Sequence, residues 1–113
     1  MKKNGFISLI IGGILLGACA PSDRAMDIAE LDGNISNGRV LYLDYCASCH
    51  GENGDDGSGP SLLRRSNIEL SVAEHADVII ERMEENGRRS DRVYLSDQEI
   101  SDIIAYVQEL QGL

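Results

Sequence analysis

Tryptophan is absent from this 113-residue chain, and one Phe with four Tyr brings the aromatic share to only 4%. An aromatic-rich core is therefore excluded. A chain of this length forms one small domain with a thin core, which ordinarily needs a staple or a cofactor. Lysine occurs only at positions 2 and 3, and 19 acidic residues outweigh 10 basic ones to give a net charge of −9. That balance excludes the basic face of a nucleic-acid binder. At 42% hydrophobic residues the chain is also too apolar for a disordered acidic tail. No stretch alternates with the period of a β-strand and no segment repeats, so the fold expected is all-α. Three cysteines and two histidines remain as the groups able to carry chemistry.

Lys2 and Lys3 precede an apolar stretch over residues 6–16 that is broken only by Ser8, Gly12 and Gly13. It is too short to span a bilayer comfortably and has the proportions of a secretory signal. The stretch ends in Leu16-Gly17-Ala18-Cys19, which resembles the lipobox of bacterial lipoproteins. The resemblance implies cleavage before Cys19 and lipid on its thiol and amine, which together hold a protein firmly at a membrane. Ala20 in the next position implies the outer membrane under enterobacterial-type sorting. A plain signal peptide with an incidental Cys19 is the alternative. Residues 1–18 thus read as a lipoprotein signal peptide, 19–33 as a lipidated tether and 34–113 as the folded domain, exported to the periplasmic face of a bacterial membrane. Cleavage removes both lysines and leaves eight Arg against 19 acidic residues, a net of −11. Such a surface suits a partner with a basic docking face and is repelled by anionic lipid. Residues 20–33 show little periodicity, so they are read as a tether of about fourteen residues with a reach of a few nanometres.

Ile35, Val40, Leu41, Tyr42 and Leu43 predict a first helix over 35–47. Residues 51–60 hold four Gly and one Pro and predict a loop. Val72, Ala76, Ile79, Ile80 and Met83 predict a helix over 71–85, stopped by Asn86-Gly87. Ser96-Asp97-Gln98-Glu99 is a capping box flanked by Leu95 and Ile100 as a staple. It introduces a last helix over 97–111, whose apolar face is Ile100, Ile103, Ile104, Val107 and Leu110.

Cys46-Ala47-Ser48-Cys49-His50 is a C-x-x-C-H, the attachment signature of c-type haem. Two thiols one helical turn apart add to the two vinyl groups of the macrocycle, and the adjacent His50 becomes an axial ligand of its iron. Three alternatives compete: a disulfide between the two thiols, a thioredoxin-like redox pair, and a zinc site. The redox pair needs a βαβ context that is missing, and zinc needs a further ligand from His75 or carboxylates.

The surroundings add Gly38-x-x-x-Tyr42-x-x-x-Cys46, His50-Gly51, Gly54, Gly57, Gly59-Pro60-Ser61-Leu62 and, later, Leu95-Ser96-Asp97-x-Glu99-Ile100 with Ala105-Tyr106. In combination these closely resemble the bacterial class I cytochromes c, over about residues 35–111. The resemblance implies a small fold of three to four helices around one covalently attached haem c, held by Cys46 and Cys49 with His50 on the iron. It implies that Gly38 marks the crossing of the first and last helices, against Tyr106. It implies that the Pro60 carbonyl accepts from Nδ1–H of His50, fixing the tautomer and the electron donation to iron. Arg64 or Arg65 would neutralise a haem propionate, with a solvated arginine pair as the alternative. Haem would also supply the apolar plate that the scarce aromatics do not.

The chain departs from the family pattern at the second axial ligand. Family members mostly place a Met in the loop before the last helix, whereas residues 88–94 here read Arg-Arg-Ser-Asp-Arg-Val-Tyr. Met26 lies in the tether, which leaves Met83 as the only methionine after His50. Met83 as an iron ligand competes with Met83 as core filler on the Ile79, Ile80 stripe. His75 is the runner-up, although Glu74 and Asp77 beside it suggest a surface position. An open sixth position is the third case. The leading function is a membrane-tethered electron carrier rather than an enzyme, passing single electrons between exported redox proteins. The alternatives are a haem-based binder or sensor of small ligands and a dedicated cytochrome subunit of an exported oxidoreductase. Arg88, Arg89 and Arg92 with Asp91 only suggest a distal acid–base set.

Overall fold

A computed structural model describes residues 20–87 and 94–113. Among the described residues six helices follow one another: α1 (Asp23–Ala29), α2 (Ile35–Tyr45), α3 (Ala47–His50), α4 (Arg65–Ile68), α5 (Val72–Gly87) and α6 (Asp97–Leu110). Among the described residues there is no β-strand, and no helix is long and apolar enough to cross a membrane. The all-α expectation is met, with more helices than the three to four expected.

The helix ends follow local chemistry. Asn34 caps α2 by accepting from the Asn37 N–H at 2.8 Å. Ser96 and Glu99 close the expected capping box of α6, with Ser96 N–H donating to Glu99 Oε1 at 2.8 Å and Glu99 N–H to Ser96 Oγ at 3.1 Å. Ser71 and Glu74 build a second box at the start of α5, with the corresponding bonds at 2.8 and 3.1 Å. The expected helix over 35–47 breaks at Cys46, the C-cap of α2, and restarts as the single turn α3.

The main correction concerns residues 19–33. From Ser22 onward the expected tether folds: Ser22 Oγ accepts from Ala25 N–H at 3.2 Å and starts α1, with Asp23 in its first turn, where the helix dipole favours an acid. Ala25 and Ile28, one turn apart, are fully buried and dock α1 onto α5 and α6. Ser22 also donates from its N–H to Asp77 Oδ2 at 2.9 Å and from its hydroxyl to Oδ1 at 2.5 Å. Arg24 reaches Asp97 at 2.8 Å. A helix of seven residues is held by such packing rather than by propensity, and the domain begins about a dozen residues before Asn34.

The core is the seam where α2 crosses α6, with Tyr42, Ile100, Ile103, Ile104 and Val107 fully buried and Ile28 added from α1. Gly38 makes the crossing possible, because a Cβ there would be driven into the backbone carbonyl of Asp102. The crossing therefore lies at Asp102 and Ile103 rather than at Tyr106, whose ring instead packs on Tyr42 with centroids 5.4 Å apart. Beside it Asp102, 3% exposed, accepts from Asn34 N–H (2.7 Å), Asn37 Nδ2 (2.7 Å) and Gln98 Nε2 (2.9 Å), tying the α1–α2 link and α2 to α6.

Candidate functional site

Cys46 and Cys49 stand at the two ends of the one-turn α3, where Cys46 O accepts from Cys49 N–H at 3.2 Å and from His50 N–H at 3.0 Å. The chain then reverses at Gly51, whose φ of 83° is open to glycine at little cost. Gly59 N–H returns to Cys49 O at 2.6 Å, folding the loop back over α3. Gly57 has no room for a side chain, since a Cβ there would meet the Cys49 carbonyl and the Gly51 N–H. The Tyr42 hydroxyl donates to Gly51 O at 2.7 Å, and burial, aided by Cys46, pushes it up to about 12, so it stays a donor. Folded in this way the loop brings Pro60 O to 2.7 Å from His50 Nδ1. A carbonyl can only accept, so the proton sits on Nδ1 and leaves Nε2 with its lone pair free.

These groups line a cavity of about 490 Å³, within the size range of cofactor sites. Cys46, Cys49, His50 and Pro60 form one side. Leu62, Leu70, Ile103 and Val107 supply apolar wall, and α5 contributes His75, Val78, Ile79, Arg82 and Met83. Both thiols are free, so the disulfide alternative is not formed. Burial, followed by the neighbouring Cys49, pushes the Cys46 thiol up to about 11. Among the described residues no three His, Cys, Asp or Glu side chains converge as a metal cluster, which leaves the zinc alternative without its ligand set. Two thiols one turn apart and an imidazole of fixed tautomer beside an apolar cavity can grip a planar apolar group covalently and ligate its metal.

Several expected site residues fall elsewhere. Arg64 and Arg65 are exposed and outside the cavity wall, with Arg65 3.7 Å from Glu69. The arginine on the wall is Arg82, 3.7 Å from Glu85. Its position one turn before Gly87 gave no sequence signal for this role. His75 is half-buried on the cavity wall rather than fully on the surface. Glu74 is engaged by Ser71 and Asp77 by Ser22, which leaves the imidazole turned to the cavity. Burial, and secondarily His50, pushes His75 down to about 4, so it is neutral at pH 7. Met83 lies at the far end of the same helix, 8% exposed, with its sulfur accepting Leu95 N–H at 3.2 Å. Cys19, the signal segment 1–18 and the distal set Arg88, Arg89, Asp91 and Arg92 lie outside the described residues.

A family model described as cytochrome C oxidase, cbb3-type, subunit III matches residues 33–107. A curated relative, dihydro-heme d1 dehydrogenase of Pseudomonas aeruginosa, is 37% identical over 68 residues, 60% of this chain but only 12% of that protein. No solved structure matches.

Proposed function

The chain belongs to the family described as cytochrome c oxidase, cbb3-type, subunit III, and is thus a c-type cytochrome carrying haem c; on that premise we propose that it is a membrane-tethered monohaem carrier of single electrons between exported redox proteins. Cys46 and Cys49 would hold the haem by thioethers, and His50 would ligate its iron. Haem c, when bound, supplies a one-electron iron couple. The observation that carries the reading is the Pro60 O to His50 Nδ1 contact of 2.7 Å, which presents Nε2 of His50 toward a cavity floored by the two thiols. Pro60 positions the imidazole and strengthens its electron donation. The apolar walls from α5 and α6 keep water from the buried side. Arg82 is placed to meet a carboxylate at the rim, the role expected of Arg64 or Arg65.

The reading extends to the lipobox-like segment: the mature chain is anchored through lipid on Cys19 at the periplasmic face of a bacterial membrane. With a net of −11 after loss of residues 1–18, its surface suits partners with a basic docking face. A second reading, a dedicated cytochrome of one exported oxidoreductase, is supported by the likeness to a stretch of a dehydrogenase.

The test is expression in a host that matures c-type haem, with denaturing gels stained for haem. Wild type should retain haem covalently and the Cys46→Ala, Cys49→Ala double variant should lose it. A double variant with undiminished covalent haem would refute the attachment. Reduction of the holoprotein by a basic redox partner should slow as ionic strength rises, and a salt-independent rate would remove the docking argument.

A further inference from the structure

α5 presents two stripes. Ala73, Ala76 and Met83 are buried in the core, whereas His75, Val78, Ile79 and Arg82 line the cavity, whose margin Met83 also reaches. Two imidazoles therefore face one cavity from opposite parts of the chain, His50 from α3 and His75 from the first turn of α5. His75 makes no side-chain hydrogen bond among the described residues, and none of its nitrogens is a sealed, unsatisfied group. Its ring nitrogens therefore stay open to the cavity, where a lone pair can be offered to a metal held there.

Met83 is placed differently. Its sulfur is occupied by the Leu95 N–H at 3.2 Å, at the junction where the chain enters α6. Drawing Met83 onto an iron would leave that buried N–H without a partner, at about 1–3 kcal/mol, and would open the core beside α6. Residues 88–93 contain no Met, His or Cys to take its place.

We propose that His75 is the second axial ligand, so that the iron is held between His50 and His75 while Met83 stays in the core. The proposal rests on the haem reading above and deepens it. Two imidazoles hold iron at a lower potential than an imidazole–thioether pair, because the thioether favours the reduced state. The carrier is thereby placed toward the reducing end of its family, and its six-coordinate iron has no vacant position for a small ligand.

The experiment uses haem-loaded wild type, His75→Ala, His75→Met and Met83→Leu. Covalent haem content is measured first by pyridine haemochrome, which reports on attachment alone. Visible spectra with and without carbon monoxide, and midpoint potentials, then report on ligation. Wild type should be low-spin, lack the weak red band of a sulfur ligand and ignore carbon monoxide. His75→Ala should become high-spin, bind carbon monoxide at once on reduction, and return to low-spin with added imidazole. His75→Met should raise the potential, and Met83→Leu should stay low-spin and indifferent to carbon monoxide. A sulfur band in wild type that vanishes in Met83→Leu would overturn the assignment. So would a high-spin wild type, or a His75→Ala protein that stays low-spin. If His75→Ala fails to accumulate, an unchanged potential in His75→Met overturns it instead. Wild type without covalent haem would sink the haem reading itself, and the haem stain distinguishes that outcome from the others.

Discussion

Replacing Asp102 tests whether the α2–α6 crossing is held by a carboxylate rather than by apolar contact alone. Asp102 is 3% exposed and receives three donors at 2.7–2.9 Å. Bonds to a charged group are worth about 1.5–3 kcal/mol each where both partners are buried. Asn34 and Asn37 are exposed residues, however, and their donors can turn to water once the carboxylate is gone. Asp102→Ala should therefore cost roughly 2–4 kcal/mol rather than the full sum. Asp102→Asn should cost about half of that, because the Asn37 amide can turn over and offer its oxygen to the new amide. In a domain of this size the Ala variant should lose on the order of 10–30 °C in Tm. A pH dependence accompanies the loss. Burial by itself raises the Asp102 carboxyl, but the hydrogen bonds from Asn34, Asn37 and Gln98 outweigh it and hold the group below its ordinary 3.8. A carboxylate depressed in the folded state stabilises fully above its unfolded value, and that contribution is lost as the pH falls through the folded value. The gap between wild type and Asp102→Ala should thus be complete at neutral pH and close below about 3.8. Urea unfolding of the holoprotein, followed by far-UV circular dichroism across that range, measures both. An Ala variant within about 0.5 kcal/mol of wild type, or a gap that persists unchanged into acid, would refute the reasoning.

Gly38→Ala should cost about 3 kcal/mol or more, since the new methyl meets the Asp102 backbone rather than a yielding side chain; calorimetry of the holoprotein reads this, and a near-neutral result would mean the helices cross elsewhere. Ile28→Ala should cost about 2–5 kcal/mol, because the side chain is fully buried against α5 and α6. Chemical denaturation checks that prediction, and a loss below about 0.5 kcal/mol would return α1 to the status of a loose tether.

The long helices α5 and α6 were legible because each carries an apolar stripe, and α6 begins at a Ser-x-x-Glu box, Ser96 to Glu99. α1 was not, because seven residues give periodicity only one repeat, Ala25 to Ile28, and the rest of that helix, Met26 included, is exposed. C-x-x-C-H and the glycine-rich loop are written in adjacent residues, so their assembly with Pro60 could be anticipated. His75 was misread for an instructive reason. Acidic neighbours ordinarily mark a solvated face, but here Glu74 serves a helix cap and Asp77 holds Ser22, both requirements of tertiary structure. Arg82 and Met83 adjoin in sequence yet face the cavity rim and the core, a division that depends on where α6 and Leu95 lie.

The docking of α1 changes how far the haem can travel. A fourteen-residue strap would let the domain sweep several nanometres from its attachment point, at about 3.3–3.6 Å per residue. With Ser22 already pinned to Asp77, only Ala20 and Pro21 separate the folded unit from the proposed lipid on Cys19, a reach of about 7 Å. On the proposed anchoring, such a leash would hold the domain close to the lipid headgroups with the start of α1 nearest the anchor, and its haem would move chiefly in the plane of the membrane. Electron exchange would then be a two-dimensional search, in which a partner must present its own redox centre at the height the short leash dictates.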